Sequence, residues 1–351
     1  MGPSSFRDLV SGRRRGPAAA LARFALGLFE PPYTLAVQWR NWRYDRGRAA
    51  VHRVPVPVVS VGNLTLGGTG KTPMVEWIAG RFRRQGARVA IVSRGYGARS
   101  GGGNDEAREL ALRLPDVPHV QNPDRVRAAR QAIEEFGCEL IVLDDAFQHR
   151  RLARDLDIAL LDALEPFGFG HVFPRGTLRE PPAGLRRAQV VALARGELLP
   201  PDERDRIRKQ VESWSPQALW LETTHAPRML RAADGSEAPL DALQGKPLAA
   251  FCGIGNPAGF RHTLEACGYQ VAAWREFSDH HHYSAADVAA IAAWAQRLDV
   301  AAVVCTCKDL VKLSGVHAPG TIPLWALSIS LEFLAGQAEF ERRLDAVRGR
   351  S

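Results

Sequence analysis

Residues 58–72 read VVSVGNLTLGGTGKT, and the architecture of the protein is predicted from this stretch outward. Residues 54–61 are rich in valine, which predicts a buried strand. A glycine-rich turn follows, and after Lys71 and Thr72 apolar residues recur at helical spacing. A strand, a glycine turn and a helix start together present backbone N–H groups and a positive helix end to phosphate oxygens. The sequence therefore predicts a phosphate-binding loop (P-loop), with an ordinary glycine-rich turn as the alternative.

The end of this loop carries the residue types that bind a nucleotide. Lys71 can neutralise the β- and γ-phosphates of ATP, and Thr72 can ligate Mg²⁺. The strict pattern requires glycine where this chain has Thr65, but the glycines just after it supply flexibility. We expect ATP to bind here together with Mg²⁺. The predicted nucleotide-binding residues are Thr65, Leu66, Gly67, Gly68, Thr69, Gly70, Lys71 and Thr72.

A pair of acidic residues marks the second part of the predicted site. Residues 140–143 are apolar and predict a buried strand, which ends at Asp144 and Asp145. A nucleotide site of this class needs a carboxylate on a neighbouring strand to hold Mg²⁺ or its water. A single aspartate could cap a helix, but two adjacent carboxylates repel each other unless a cation is present. We therefore predict a metal site at this pair.

Alternating apolar strands and amphipathic helices define the fold class. They predict an α/β protein with a P-loop NTPase-type, mainly parallel sheet covered by helices. A second, smaller α/β domain and an N-terminal amphipathic helical arm complete the prediction. The expected boundaries are 1–53 for the arm, 54–223 for the nucleotide-binding core, 224–245 for a linker, 246–330 for the smaller domain, which contributes to the active site, and 331–351 for a C-terminal helix at about 332–347.

The net charge is concentrated in the arm. The 351 residues carry a formal charge of +8, and residues 1–53 account for +7 of it. This local excess disfavours a nucleic-acid groove spread over the fold, so no nucleic-acid partner is expected. We predict two helices in the arm, the first ending at Pro31-Pro32 and the second carrying Trp39 and Trp42. Apolar stripe, tryptophans and arginines together predict contact with an anionic membrane surface, with docking on the protein's own core as the alternative.

Two further polar clusters are ambiguous when taken alone. Asp105-Glu106 follows a glycine run, where acidic residues commonly stabilise the first turn of a helix. The run Asp279-His280-His281-His282-Tyr283 precedes a predicted helix and is typical of a polar loop. Composition does not assign either cluster to catalysis.

Eight separated motifs, in conserved order, resemble the tetraacyldisaccharide 4′-kinase family, the ATP-dependent lipid kinases of lipid A synthesis. They span about residues 20–313. The motifs are 55–73 (PVPVVSVGNLTLGGTGKTP), 93–97 (SRGYG), 105–106 (DE), 144–149 (DDAFQH), 178–181 (LREP), 253–257 (GIGNP), 279–281 (DHH) and 306–312 (TCKDLVK). The chain departs from the usual family residues at three positions, namely Ala146 for Gly, Phe169 for Asn and Cys307 for Glu.

The resemblance implies transfer of the ATP γ-phosphoryl group to the 4′-hydroxyl of a tetraacylated disaccharide 1-phosphate. It implies a peripheral enzyme without a spanning helix, at the cytoplasmic face of the bacterial inner membrane, with no obligate protein partner evident. Asp105 would lie near the attacking hydroxyl, and His280 would support it. The implied phosphate and metal groups are Lys71, Thr72, Asp144, Asp145, Arg179 and Glu180, with Lys71 and Arg179 counted as catalytic.

A switch-type P-loop ATPase acting on membrane or protein partners is the alternative function. Such proteins often carry an extra lysine just before the two glycines of the loop, where this chain has Leu66. A switch would hydrolyse ATP slowly without an acceptor, whereas a kinase would transfer phosphate only when the lipid is supplied.

Overall fold

The computed structural model describes residues 3–67, 69–95, 105–278, 281–313 and 322–349. The described chain forms two compact units. Unit 1 comprises residues within 1–102, 110–225 and 331–351, and unit 2 comprises residues within 103–109 and 226–330. The fold class predicted above is confirmed, because both units are built on parallel strands with helices packed against them.

The elements alternate along the chain as an α/β fold requires. The α-helices of the described residues are α1 (Pro3–Val10), α2 (Pro17–Asp45), α3 (Lys71–Arg84), α4 (Asp105–Arg113), α5 (Arg125–Phe136), α6 (Pro201–Trp214), α7 (Pro257–Ala266), α8 (Ala285–Gln296), α9 (Cys307–Leu313) and α10 (Gln337–Arg348). The strands are β1 (Val58–Asn63), β2 (Val89–Ser93), β3 (His119–Gln121), β4 (Leu140–Asp144), β5 (Leu156–Asp162), β6 (Val190–Ala194), β7 (Leu219–Arg231), β8 (Glu237–Ala238), β9 (Pro247–Cys252), β10 (Gln270–Glu276), β11 (Ala302–Thr306) and β12 (Leu324–Ala335).

In unit 1 the strands follow the order β7-β6-β5-β1-β4-β2-β3, and each neighbouring pair is parallel. The central strand β1 pairs with β4 on one side and β5 on the other, with Val59 opposite both Val142 and Leu156. Helix α3 covers one face of these strands through Ile78 and Phe82, which are fully buried. The carboxyl ends of β1 and β4 therefore lie side by side, where sites form in such sheets.

In unit 2 the strands follow the order β10-β9-β11-β12, again with parallel neighbours. Two apolar clusters cover its two faces, one centred on Leu264 and one on Phe251. Strand β8 pairs antiparallel with the end of β7, where Leu230 faces Ala238. As a result, much of residues 224–245, expected as a linker, is strand and turn.

The prediction that a helix ends at Pro31-Pro32 is wrong, because α2 continues through both prolines to Asp45. Both prolines are exposed, so neither ring displaces a core side chain. The cost is confined to the helix itself, as the backbone hydrogen bonds that proline cannot donate and the clash of each ring with the preceding turn. A tertiary contact next to them holds the helix in line, since the Glu30 carboxylate accepts a hydrogen bond from Val172 N–H at 2.7 Å. Packing thus overrides the local helix-breaking tendency.

The last helix also begins later than expected. Residues 332–335 belong to β12, and the helix starts at Gln337. Gly336 separates the two elements with a left-handed backbone at φ 86°, and an added Cβ there would lie 2.5 Å from the Trp220 carbonyl oxygen. Glycine is therefore required at this turn. No helix among the described residues combines the length and the apolar character needed to cross a membrane.

Candidate phosphate-binding site

The P-loop lies between β1 and α3, as its sequence predicts. Gly67 and Gly70 both adopt positive φ values, 117° and 79°, which glycine tolerates without strain. Lys71 and Thr72 form the first turn of α3, and this turn contains no acidic residue. The helix end therefore keeps its positive partial charge for an anion. Gly68 lies outside the described residues.

Asn63, which sequence reasoning missed, ties the loop together from within. Its side chain is fully buried, and its Nδ2 donates to the Thr65 carbonyl at 2.8 Å and to the Gly67 carbonyl at 3.4 Å. Its Oδ1 accepts a hydrogen bond from Lys71 Nζ at 3.5 Å. These bonds fix the loop although Thr65 replaces the usual glycine. A polar residue at the end of an apolar strand was the only signal for this role in the sequence.

A second segment, residues 171–179, pairs with the first half of the loop. Leu66 N–H donates to the Thr177 carbonyl at 2.7 Å, and Arg179 N–H donates to the Leu64 carbonyl at 2.7 Å. Thr65 and Leu178 form an antiparallel bridge between these two bonds. This pairing explains how Arg179, far from the loop in sequence, reaches the site.

Two cations of the predicted set, Lys71 and Arg179, converge on the carboxylate of Asp145. Arg179 donates to both oxygens of Asp145, at 2.7 and 3.2 Å, and Lys71 Nζ lies 3.8 Å from Oδ1. Burial alone would raise the pKa of Asp145, but Lys71 and Arg179 more than offset it and hold the pKa below its ordinary value. Asp145 is therefore ionised at neutral pH. Its backbone is left-handed at φ 50°, which aspartate tolerates better than most residues.

The neighbouring Asp144 also lies at the loop. It is the last residue of β4 and pairs in register with Val61 of β1. Its exposure is only 4%. The strand end thus brings both predicted aspartates to the carboxyl edge of the sheet, close to the glycine turn.

Two basic or titratable residues beside the loop were not predicted. Arg125 begins α5 and donates to the Asp145 carbonyl at 3.4 Å. Burial lowers the pKa of its guanidinium, an effect that Asp145 partly offsets. His225 packs against Gly70, because an added Cβ at Gly70 would lie 2.7 Å from His225 Nε2. Both residues come from elements distant in sequence, so no local pattern marks them.

Glu180, a predicted metal ligand, has another structural role. Arg187 donates to both of its oxygens, at 2.9 and 3.0 Å, and Gln148 and Asn41 add one bond each, at 3.1 and 2.8 Å. Each oxygen thus accepts two hydrogen bonds, and the residue is 0% exposed. A carboxylate with its acceptor capacity filled has no lone pair left for Mg²⁺. The structure therefore corrects the assignment of Glu180: it anchors α2 and Arg187.

The predicted catalytic pair is only partly covered by the structure. Asp105 begins helix α4, but its side chain lies outside the described residues, as does the whole of His280. The residues after His280 are described from His281 onward. His281 Nε2 lies 3.3 Å from Asp287 Oδ2, and Tyr283 O–H donates to Asp309 at 3.1 Å. Among the described residues no cluster of three histidine, cysteine or acidic side chains could hold a metal ion.

A parallel sheet whose central strand leads through a glycine loop into a lysine and threonine at a helix start defines a P-loop nucleotide-binding protein. More particularly, the chain belongs to the tetraacyldisaccharide-1-P 4′-kinase family (LpxK), whose sequence profile matches residues 22–348. The family membership predicted from the motifs, and with it an enzymatic function as a kinase, is confirmed.

Individual relatives agree with the profile. A tetraacyldisaccharide 4′-kinase from Anaeromyxobacter sp. (strain K) is 42% identical over 351 aligned residues, covering 95% of this chain and 93% of that protein. Another, from Syntrophus aciditrophicus, is 38% identical over 93% of this chain and 94% of the relative. The crystal structure of LpxK from Aquifex aeolicus in complex with ATP superposes with a TM-score of 0.76 at 29% identity, covering 93% of this chain and 99% of the other.

Proposed function

We propose that the chain transfers the γ-phosphoryl group of ATP to the 4′-hydroxyl of tetraacyldisaccharide 1-phosphate, forming the 4′-phosphorylated lipid A precursor (lipid IVA). The observation that carries this proposal is the convergence of Lys71 and Arg179 on Asp145 at the start of α3. Two cations held beside a loop of backbone N–H groups suit a triphosphate. Family membership supplies the acceptor alcohol and the lipid.

The chain's own residues prepare the phosphate site before ATP arrives. Asp145 and Gln148 hold the Arg179 guanidinium, with Gln148 Oε1 accepting at 3.3 Å. Asn63 holds the loop, and Lys71 lies within reach of both Asn63 and Asp145. Positive charges fixed in place need little reorganisation when negative charge develops on the transferring group. Most of the rate enhancement is expected from this positioning and charge neutralisation.

The donor set fits Mg²⁺ held jointly by the protein and the phosphates. Thr72 supplies a hydroxyl, and Asp144 and Asp145 supply carboxylates, all of them hard oxygen ligands. One hydroxyl and two carboxylates suit Mg²⁺, which keeps waters and phosphate oxygens in its shell, better than Ca²⁺, which takes more protein oxygens. When bound, the ion would neutralise charge on the phosphates. Glu180 is left out of this proposed set for the reason given above.

For proton transfer we propose Asp105 as the group that accepts the proton of the attacking hydroxyl, with His280 supporting it. An alcohol with a pKa far above 7 gains from a carboxylate that takes its proton as the new P–O bond forms. We expect Asp105→Asn and His280→Ala to lower kcat by about 100-fold or more, with smaller changes in KM for ATP. A kcat within about threefold of the parent would contradict the assignment.

The surface of α2 supports docking on an anionic membrane. Leu21, Phe24, Leu28, Leu35 and Trp39 are each at least 60% exposed and recur at helical spacing, so they form one apolar stripe.

Basic residues flank the stripe near its end. The Arg43 guanidinium lies 5.1 Å from the centre of the Trp39 ring, and Arg48 lies 4.7 Å from that of Trp42. Amphipathic rings beside arginines suit the headgroup layer of an anionic bilayer. We propose the cytoplasmic face of the inner membrane as the docking surface, because the lipid substrate resides there.

A transfer assay tests the main proposal. The purified full chain, with no protein partner added, is given γ-labelled ATP, Mg²⁺ and tetraacyldisaccharide 1-phosphate in mixed micelles. We expect label in the lipid product, loss of it in Lys71→Ala, and no change in Lys209→Ala, an exposed lysine of α6. Absence of labelled lipid from the parent, together with acceptor-independent ATP hydrolysis, would instead favour the switch-type ATPase.

A further inference from the structure

Helix α2 has a second face that points into unit 1. Val37 and Asn41 are buried there, roughly opposite the apolar stripe around the helix. Glu30 and Tyr33 lie on the same inward side. Glu30 Oε1 accepts a hydrogen bond from Val172 N–H at 2.7 Å, and its Oε2 lies 3.0 Å from His171 Nδ1.

These contacts end on residues 171–179, which we call the support loop. The loop is closed by its own backbone. Phe173 N–H donates to the Leu178 carbonyl at 2.8 Å, Gly176 N–H to the Val172 carbonyl at 3.1 Å, and Leu178 N–H to the His171 carbonyl at 3.2 Å. Such internal bonding makes the loop move as one piece. A contact at Val172 therefore constrains its far end at Thr177.

The far end of the support loop is the part that pairs with the P-loop, through the Leu66 and Arg179 amide bonds described above. Tyr33 adds a direct bond, since its hydroxyl donates to the Arg179 carbonyl at 3.2 Å. Each step from α2 to the P-loop is thus a hydrogen bond within unit 1.

We propose that Glu30 is a positioning residue of the ATP site, acting through the support loop. This proposal rests on the proposed function only because it takes ATP as the ligand of the P-loop. The Glu30 carboxylate gives Val172 N–H a charged acceptor, and charged hydrogen bonds are the stronger ones. Without the Glu30 carboxylate, the support loop and the part of the P-loop bonded to it gain conformational freedom. This freedom must be lost again when ATP binds, which weakens the affinity for ATP. Glu30 touches neither ATP nor the reacting atoms in this scheme.

The experiment measures ATP affinity directly, in the full chain with Mg²⁺ in detergent micelles. We expect Glu30→Ala to raise the Kd for ATP about five- to tenfold. Glu30→Gln keeps an acceptor for Val172 N–H, so its Kd should stay within about threefold of the parent. The matched control is Glu212→Gln, a partly exposed glutamate of α6 paired with Arg208 at 2.8 Å. It should leave the Kd unchanged. In the Glu30 variants, KM for the lipid acceptor should change less than KM for ATP.

Amide hydrogen exchange separates positioning from general destabilisation. In Glu30→Ala the amides of Leu66 and Val172 should exchange faster, while those of the central strand β1 keep their protection. Equal ATP affinity in Glu30→Ala and the parent would overturn the proposal. If Glu30→Ala fails to fold, Glu30→Asp decides, because the shorter side chain keeps the charge but withdraws the acceptor from Val172 N–H. A Kd for ATP in Glu30→Asp equal to that of the parent would also overturn the proposal. A parent chain that binds ATP but phosphorylates no lipid would refute the kinase proposal alone.

Discussion

Arg179 donates one hydrogen bond to each carboxylate oxygen of Asp145. The pair joins two segments that are 34 residues apart in sequence, at the edge of the P-loop. The pair is partly exposed, with side-chain exposures of 22% and 37%, so its value for stability is modest. Its value for the site is geometric, since a planar guanidinium held at two points has one orientation. The arrangement makes the identity of the cation as important as its charge.

Arg179→Lys tests this geometric role. Lysine keeps the charge but cannot bind both Asp145 oxygens in a fixed plane. We expect kcat/KM to fall about 100-fold, which corresponds to about 2.7 kcal/mol of transition-state stabilisation. Arg208→Lys, in an exposed pair with Glu212 on α6, is the control and should have parental kinetics. Activity within threefold of the parent would mean that charge alone suffices.

Phe169→Asn should stabilise the protein. Phe169 has a left-handed backbone, φ 59° and ψ 27°, which costs a bulky residue about 1–2 kcal/mol. Asparagine visits this conformation more readily than phenylalanine does. Because some apolar contact is lost, we expect a net gain of about 0.5–1 kcal/mol in urea unfolding. Phe167→Asn, with φ −127° and a ring contact to Trp214 at 5.3 Å, should destabilise instead.

His149 makes part of the stability dependent on pH. Burial, followed by the charges of Arg125 and Arg154, lowers its pKa to about 4. An unfolded histidine titrates near 6.5, so between about pH 4 and 6.5 the unfolded chain binds the extra proton. The free energy of unfolding therefore decreases as the pH is lowered from about 6.5 to about 4, by up to about 1.4 kcal/mol per pH unit.

The matching measurement compares urea unfolding near pH 7.5 and near pH 5 for the parent and His149→Gln. The variant should lose less stability on acidification than the parent does. Replacing the exposed His262 by glutamine should leave the parental difference intact. A parent and a His149→Gln variant with the same acid sensitivity would contradict the effect.

The apolar stripe of α2 predicts the strength of membrane binding. Leu28→Ser together with Trp39→Ser should weaken partitioning onto vesicles with anionic lipid on the order of 30-fold, measured by sedimentation. Phe136→Ser, at a 46% exposed position on α5, is the control. An equal loss with Phe136→Ser would mean that binding follows overall hydrophobicity rather than the stripe.

Local patterns predicted the parts of the molecule whose chemistry is local. The strand, glycine turn and helix start around Lys71 follow from residues adjacent in sequence, and so does the aspartate pair at the end of β4. Parallel pairing then brings the two together without further information. The class of fold and the phosphate site were predictable for this reason.

Long-range contacts set the features that sequence alone missed. Glu180 was predicted as a metal ligand from the family resemblance, but Arg187, Gln148 and Asn41 fill the acceptor capacity of its carboxylate. Arg125 begins a helix that approaches Asp145 only in the fold. By the local rule that proline ends a helix, Pro31 and Pro32 would end α2, but tertiary contacts override this rule. For Arg125, for Glu180 through Asn41, and for the prolines through the Glu30–Val172 bond, a deciding partner lies in another element, where no spacing rule reaches.

The two faces of α2 limit how the proposed membrane-docking stripe can be removed from this kinase. Truncation of the first 45 residues would remove the apolar stripe. It would also remove Glu30, Tyr33 and Asn41, which form hydrogen bonds inside unit 1. The remaining route is surface substitution, with serine or glutamate at the outward positions and the inward residues unchanged. One helix carries both the proposed docking stripe and the buried contacts, so substitutions can change the first alone, whereas truncation removes both.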